Sequence, residues 1–240
     1  MAVCAYSRIL LKVSGEGFCK PGKFGIDPAE VQTIARQAKE VADAGCEVAI
    51  VVGGGNFLRG VSFAQEAGIQ RATADYMGMV ATVINALALQ DGLEAIGAET
   101  RLLSAIDMRD VAEPFIRRRC IRHLEKKRIV ILASGTGNPF FSTDTCAALR
   151  ASEIGAEVLL KATKVDGVYS DDPTTNPDAQ RYNFLTYDDL VHNDLRIMDV
   201  AAVSLCKENR IPIVVFTLKT HGLLRRIVAG ESIGTRIGEE

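Results

Sequence analysis

Five short, continuously apolar runs, separated by helix-like stretches, constrain the fold of this chain more than any other feature. They are Arg8–Val13 (RILLKV), Glu47–Val52 (EVAIVV), Arg128–Ala133 (RIVILA), Glu157–Lys161 (EVLLK) and Ile211–Thr217 (IPIVVFT). Apolar runs of strand length that do not alternate with polar residues belong to strands covered on both faces, as in parallel sheets. Between them, Asp27-Pro28-Ala29-Glu30 reads as a helix start, with Asp as the cap, Pro in the first turn and Glu closing a capping box. Val31, Ile34, Ala35, Ala38 and Val41 then share one face, and Gly45 ends the helix. Further helices are expected over 72–90, from Pro114 through Arg117 to Lys126, from a cap at Thr143 or Asp144 to Ile154, over 199–209 and over 223–228; Leu102 and Leu103 mark a short strand. With right-handed crossovers, the α/β pattern gives a three-layer αβα sandwich around a mainly parallel sheet. No repeat, low-complexity segment or linker interrupts it, so residues 1–240 read as one domain. The stretch 163–183, rich in Asp, Pro, Thr and Asn, reads as a long binding loop.

Charge and cysteine usage narrow the classes of function. Lys plus Arg is 28 and Asp plus Glu is 30, a net charge of −2 that does not suit non-specific nucleic-acid binding. The six cysteines, at 4, 19, 46, 120, 146 and 206, include no C-x-x-C pair, and His123, His192 and His221 form no metal spacing. They read as reduced, buried thiols. The first residues lack the pattern of a secretory signal. The longest uncharged runs, 76–90 and 129–143, are 15 residues each, short of a bilayer span. A cytoplasmic protein without membrane or nucleic-acid partners is expected.

Ligands of open α/β sheets bind beyond the carboxyl ends of the strands. Three apolar runs end there in glycine-bearing turns: Lys12-Val13-Ser14-Gly15, Gly53-Gly54-Gly55-Asn56 and Gly135-Thr136-Gly137-Asn138. Glycine lets backbone N–H groups approach an anion unobstructed, so three such turns on one edge favour a phosphate-rich ligand. Familiar signatures fail. Gly17–Lys23 fits a Walker A loop until Phe24 replaces the magnesium-binding hydroxyl, and Leu58 and Phe140 stand where dinucleotide fingerprints need a third glycine. No G-x-S-x-G elbow is present.

Lysine and aspartate remain. Lys12 lies at the end of the first strand beside Ser-Gly, and a lysine there can neutralise a transferring phosphoryl group; Lys161 ends the fourth strand similarly, and Lys164 follows. Asp144 and Asp199 stand at helix starts, where they either cap the helix or orient the lysines. Seven Lys or Arg residues among the twelve at 117–128 read as a solvated helix face, with a second nucleotide-phosphate site as the sharper alternative.

Several segments carry a family resemblance: RILLKVSGE at 8–16, VVGGGNFLRG at 51–60, ATADYMGMVATVINALALQD at 72–91, SGTGNPFFSTDTCAALRA at 134–151, KATKVDGVYSDDP at 161–173 and MDVAAVSLCKENRIPIVVF at 198–216. Together with the GLLRRIVAGESIGTRI tail, they make the chain similar to the bacterial uridylate kinases of the amino acid kinase superfamily over nearly its whole length. The resemblance implies ATP- and Mg²⁺-dependent phosphorylation of UMP to UDP, in pyrimidine biosynthesis. It implies that Lys12, Val13, Ser14, Gly15, Gly55 and Arg59 lie along the ATP phosphates, while Thr163, Tyr169 and Asp172 hold the adenosine. Gly54 and Asp75 would bind UMP, Asp75 through the ribose, and Thr136, Gly137, Asn138, Pro139, Phe140, Phe141, Ser142 and Thr143 would wrap it and read the uracil. Lys12, Arg59, Asp144, Lys161 and Asp199 are the implied catalytic residues. A homohexamer, GTP activation through the 20–25 region and feedback inhibition by UTP are also implied, although KPGKFG departs from the more polar sequence expected at 20–25. Two alternatives stay open. Another kinase of the superfamily is disfavoured by TGNPFFST, and a non-catalytic nucleotide sensor or storage protein by the charged residues.

Overall fold

The computed structural model describes residues 4–58, 68–173, 175–192, 195 and 197–239. The five apolar runs become β1 (Arg8–Val13), β2 (Glu47–Val52), β5 (Ile129–Ala133), β6 (Val158–Thr163) and β10 (Ile213–Thr217). With β3 (Thr100–Ser104), β4 (Glu113–Pro114), β9 (Phe184–Thr186) and β11 (Thr235–Gly238), they form a nine-stranded sheet in the order β4-β3-β5-β2-β1-β6-β10-β11-β9. Every described pairing in it is parallel except β10 with β11.

The strands read as unbroken apolar runs because both sheet faces are covered. Ile9, Leu11, Val13 and Ile50 face one side and pack on α1 (Pro28–Asp43), α2 (Arg71–Glu94) and α7 (Leu223–Val228). Leu10, Val51 and Leu159 face the other, against α3 (Arg117–Glu125), α4 (Thr143–Ile154), α5 (Tyr187–His192) and α6 (Val200–Glu208). This is the expected three-layer sandwich, and it puts the glycine turns on the carboxyl edge of the central strands. The Asp27 carboxylate caps α1 by accepting from the Ala29 N–H at 2.9 Å, and Gly45 follows its end with φ +99°.

Several local expectations are corrected. Pro114 does not open a helix; it pairs with Ser104 in β4, and α3 starts at Arg117. Neither Thr143 nor Asp144 caps α4. The cap is Ser142, whose Oγ accepts from the N–H groups of both Asp144 and Thr145 at 3.0 Å. The stretch 163–183 is not wholly irregular, because β7 (Val168–Tyr169) and β8 (Arg181–Tyr182) pair in antiparallel fashion within it. The helix expected over 72–90 extends to 24 residues as α2, and by length and composition it is sufficient to cross a membrane. Here it lies on the sheet, burying Val83, Ala86, Leu89 and Leu93 in the core.

Candidate active site

Parallel pairing of β1 with β6 sets Lys12 and Lys161 opposite one another in register. Both ammonium groups therefore meet on the face covered by α4. Asp144, in the first turn of that helix, receives both: Lys12 Nζ lies 3.0 Å from Oδ1, and Lys161 Nζ donates to Oδ2 at 2.6 Å. Lys161 also donates to the Ile197 carbonyl. The three side chains are largely buried, at 9, 17 and 9 % exposure for Lys12, Asp144 and Lys161. Burial alone would raise the Asp144 pKa, but the charges of Lys12 and Lys161 overcome it and hold the carboxyl below the ordinary range. Burial pushes the Lys161 pKa down, Lys12 adds to that, and Asp144 opposes it in part. Because Ser142 supplies the helix cap, the Asp144 carboxylate is free to bridge the lysines.

Beside this cluster, two glycine turns touch backbone to backbone. A Cβ on Gly15 would stand 2.2 Å from the Gly55 nitrogen, and one on Gly53 would stand 2.7 Å from the Gly15 nitrogen. Gly54 presses on α2, where a Cβ would lie 2.8 Å from the Gly78 carbonyl oxygen. At the third turn, Ser134 and Gly135 both adopt left-handed backbone (φ +63° and +55°). The Ser134 N–H donates to Thr82 Oγ1 at 2.7 Å, and its hydroxyl pairs with that of Ser104 at 2.8 Å.

A cavity of about 580 Å³ opens between α2 and the third turn. Gly54, Gly55, Asp75, Thr136, Phe140, Phe141, Ser142, Thr143 and Asp199 line it, joined by Arg71 and Thr145. Gly137, Asn138 and Pro139 belong to the same segment but not to the wall; the Asn138 N–H donates to Thr136 Oγ1 at 3.1 Å. The Asp75 carboxylate accepts from Arg71 Nε and, at 2.9 Å, from the Phe140 N–H. Phe140 holds a left-handed φ of +71° in doing so, with the Arg71 guanidinium 5.8 Å from its ring centroid.

A second cavity, about 740 Å³, lies beyond Lys161 and takes in Thr163, Tyr169 and Asp172. Tyr169 donates its hydroxyl to Asp166 at 2.7 Å, and Thr163 Oγ1 donates to the Val165 carbonyl at 2.6 Å. Val13 and Ser14 are set apart from both cavities. They border a smaller hollow of about 200 Å³ beside α1, and the Val13 side chain is part of the core. Arg59 lies outside the described residues.

Of the two roles open to Asp199, the cap is the one its hydrogen bonds show, and its charge also supports that of Lys161. Asp199 caps α6 through the Ala202 N–H at 3.0 Å and accepts from Thr145 Oγ1 at 2.6 Å and from the Ser142 hydroxyl, so it ties α4 to α6. Lys164 pairs with Glu16 at 2.5 Å, away from the Asp144 cluster. In the basic run, Arg117, Arg118, Arg119 and Arg122 are exposed, which fits the solvated face. Among the described residues no group of His, Cys, Asp and Glu is arranged to hold a metal ion. The six cysteines are free, five of them buried.

Sequence reasoning missed Thr82, Asn85, Thr145 and Arg71. Arg71 and Asp75 are legible as an i,i+4 pair, and Asn85 stands out as an amide amid the apolar sequence of α2.

Comparison with known proteins adds to this geometry. A model described as "Amino acid kinase family" matches residues 7–217. The UMP kinase of Bacillus anthracis superposes with a TM-score of 0.94 and 38% identity, covering 98% of this chain and 97% of that one. The UMP kinase of Ureaplasma parvum gives 0.90 and 34%, covering 97% and 99%.

Proposed function

The chain belongs to the amino acid kinase family, and from that premise we propose that it transfers the γ-phosphoryl group of ATP to UMP, yielding UDP and ADP. The observation that carries this reading is the position of the Lys12–Asp144–Lys161 cluster. Lys161 lines one nucleotide-sized cavity, and the helix carrying Asp144 begins with Ser142 and Thr143, which line the other.

The chemistry suits a site without a general base. The UMP phosphate is already largely dianionic at neutral pH, since the second pKa of a phosphate monoester is about 6. No proton has to leave the nucleophile, so catalysis is alignment plus neutralisation of charge on the moving phosphoryl group. Lys12 offers its ammonium beside the Gly15 and Gly53–Gly55 turns, where the N–H groups of Gly15, Gly54 and Gly55 complete the anion site, that of Gly53 being bonded to the Val13 carbonyl. Lys161, facing the larger cavity, meets the donor phosphates. Asp144 stays ionised and fixes both ammoniums, and Arg59 adds a further positive charge. Asp199 holds the two helix starts together. Mg²⁺, carried in with ATP as part of the substrate, would supply further charge neutralisation, which fits carboxylates already committed elsewhere, Asp144 to two lysines and Asp199 to Thr145 and Ala202.

In this reading UMP occupies the 580 Å³ cavity, with Asp75 on the ribose and Thr136–Thr143 around the uracil. Adenosine occupies the other cavity, beside Thr163, Tyr169 and Asp172. The enzyme would serve pyrimidine biosynthesis in the cytoplasm, with GTP as activator and UTP as inhibitor. Self-association, in this reading as a homohexamer, would use the apolar stripe that α2 leaves exposed, Tyr76, Met77, Val80, Ile84 and Leu87.

The deciding experiment is ADP release from MgATP with UMP, CMP, dUMP, AMP or no acceptor. Turnover with UMP far above the others is expected. No turnover with any nucleotide, from folded protein at several GTP concentrations, would overturn the assignment in favour of a sensor or storage protein.

A further inference from the structure

Asn56 and Asn85 are both buried, at 2 and 0 % exposure, and bond each other twice. Asn56 Nδ2 donates to Asn85 Oδ1 at 2.9 Å, and Asn85 Nδ2 donates to Asn56 Oδ1 at 2.7 Å. Each amide spends its second N–H on a backbone carbonyl: Asn85 on Gly53 at 2.7 Å, Asn56 on Gly25 at 2.8 Å. The two carbonyls fix which way both amides point, because only an N–H can face them. Asn56 in turn stands behind the glycine contact, its Oδ1 2.7 Å from where a Cβ on Gly15 would be. Asn85 lies three residues after Thr82 on α2, so one face of that helix holds the Ser134 turn with a hydroxyl and the Gly53 turn with an amide.

We propose that Asn56 and Asn85 are a positioning pair for phosphoryl transfer, setting the Gly53–Gly55 turn against Gly15 so that the Gly54 and Gly55 N–H groups meet the phosphates in register. The inference rests on the nucleotide-kinase reading of the site. A turn built of three glycines has no side chains with which to hold itself, and its backbone freedom is the largest of any residue type. Backbone bonds from the Gly53 N–H to the Val13 carbonyl and from the Phe57 N–H to the Gly54 carbonyl hold its ends. The amide pair adds a side-chain constraint from behind, and neither amide lines the nucleotide cavities.

The test compares the full chain with Asn85→Ala, Asn56→Ala and a control, Gln37→Leu. Gln37 is another buried amide bonded to a backbone carbonyl, that of Leu218, but not to the turn. Turnover with UMP and the calorimetric dissociation constant for MgATP are measured below each variant's unfolding midpoint. Asn85→Ala should lower kcat by roughly 10- to 100-fold, the scale of a sub-ångström misplacement of catalytic groups, and weaken MgATP at least about fivefold. Gln37→Leu should leave both within about twofold, whatever its effect on the midpoint. If Asn85→Ala does not fold, Asn85→Ser, which keeps one donor, takes its place with a smaller loss expected. Folded Asn85 and Asn56 variants with kcat and MgATP affinity within about twofold of the parent would overturn the proposal. A parent that binds MgATP without turning over UMP removes the assigned acceptor only, and the dissociation constants still decide the amide pair. A parent that does not bind MgATP overturns both.

Discussion

Lys12 and Lys161 stand side by side in register on adjacent strands, and one carboxylate, that of Asp144, holds both. Two buried like charges repel, and Asp144 compensates them only while it is ionised and in place. Anything that binds between the strand ends and α4 therefore meets a net positive site on rigid strands rather than on loops.

Lys12→Ala should lower turnover by at least about a hundredfold, corresponding to on the order of 3 kcal/mol of transition-state stabilisation. The far-ultraviolet spectrum and cooperative unfolding should persist. A folded mutant with near-normal turnover would remove Lys12 from the mechanism.

The pH profile should report the coupled charges. Lys161 has a pKa below the ordinary 10.5, chiefly through burial, so its charge is lost early and the alkaline limb of kcat should fall below that pH. This lysine detracts from stability below its folded pKa, and the penalty fades as pH rises towards 10.5. Asp144 works in the opposite direction: its contribution is present above the ordinary 3.8 and disappears as pH falls through its lowered value. Asp144→Asn should move the alkaline limb further down and cost on the order of 3 kcal/mol in urea titrations, since two buried ammoniums lose their counter-charge. An unmoved limb would dissociate Lys161 from the profile.

Gly15→Ala should be among the most damaging single-methyl changes in the chain. Its Cβ would overlap the Gly55 nitrogen at 2.2 Å and the Gly54 carbonyl carbon at 2.8 Å, and the third neighbour, Asn56 Oδ1 at 2.7 Å, is held in place by Asn85 and Gly25. Nucleotide binding should be lost and the thermal midpoint should drop. Calorimetry that finds normal MgATP affinity would contradict the packing of the two turns.

The α2 stripe predicts self-association. Val80→Glu and Ile84→Glu place charges on a surface where Tyr76, Met77, Val80, Ile84 and Leu87 are 39 to 45 % exposed. Sedimentation should show a smaller species than the parent. An unchanged sedimentation coefficient would place the contact elsewhere.

Thiol reactivity should track folding. Burial pushes Cys46, Cys120 and Cys206 up to about 12 and Cys146 to about 11. At neutral pH these four should resist an aromatic disulfide reagent until denaturant is added. Rapid modification of the native protein would show that the sheet faces open more readily than their packing implies.

What the sequence made legible follows from where the signal lies. Strands β1, β2, β5, β6 and β10 are unbroken apolar runs because helices cover them on both sides, and that reads directly. By contrast, β9 (FLT) and β11 (TRIG) are short and partly polar, and only their pairing makes them strands. Lys12 is legible from the Ser-Gly that follows its strand, and Lys161 from its place at the end of the fourth apolar run. The division of labour at 142–144 was not, since Ser, Thr and Asp are all good caps, and only the fold shows that Ser142 caps while Asp144 reaches the lysines. Asn56, Asn85 and Thr145 act through partners distant in sequence, so that even Asn85, conspicuous on an apolar helix, does not show locally what it holds.

The sheet order also bears on how the molecule is made. The strands β4-β3-β5-β2-β1 are all encoded before α4, so a growing polypeptide can assemble that half of the sheet early. At that stage Lys12 has neither Asp144 nor Lys161 beside it. At the other edge, β9 emerges from the ribosome well ahead of β11, its one described neighbour in the sheet. Translation thus leaves first a half-built charge cluster, which β6 completes by pairing with β1, and then an unpaired β9, which waits for β11. The interval before these pairings is when this protein is most exposed to misassembly, and a phosphate-bearing ligand can act only on chains that have passed through it.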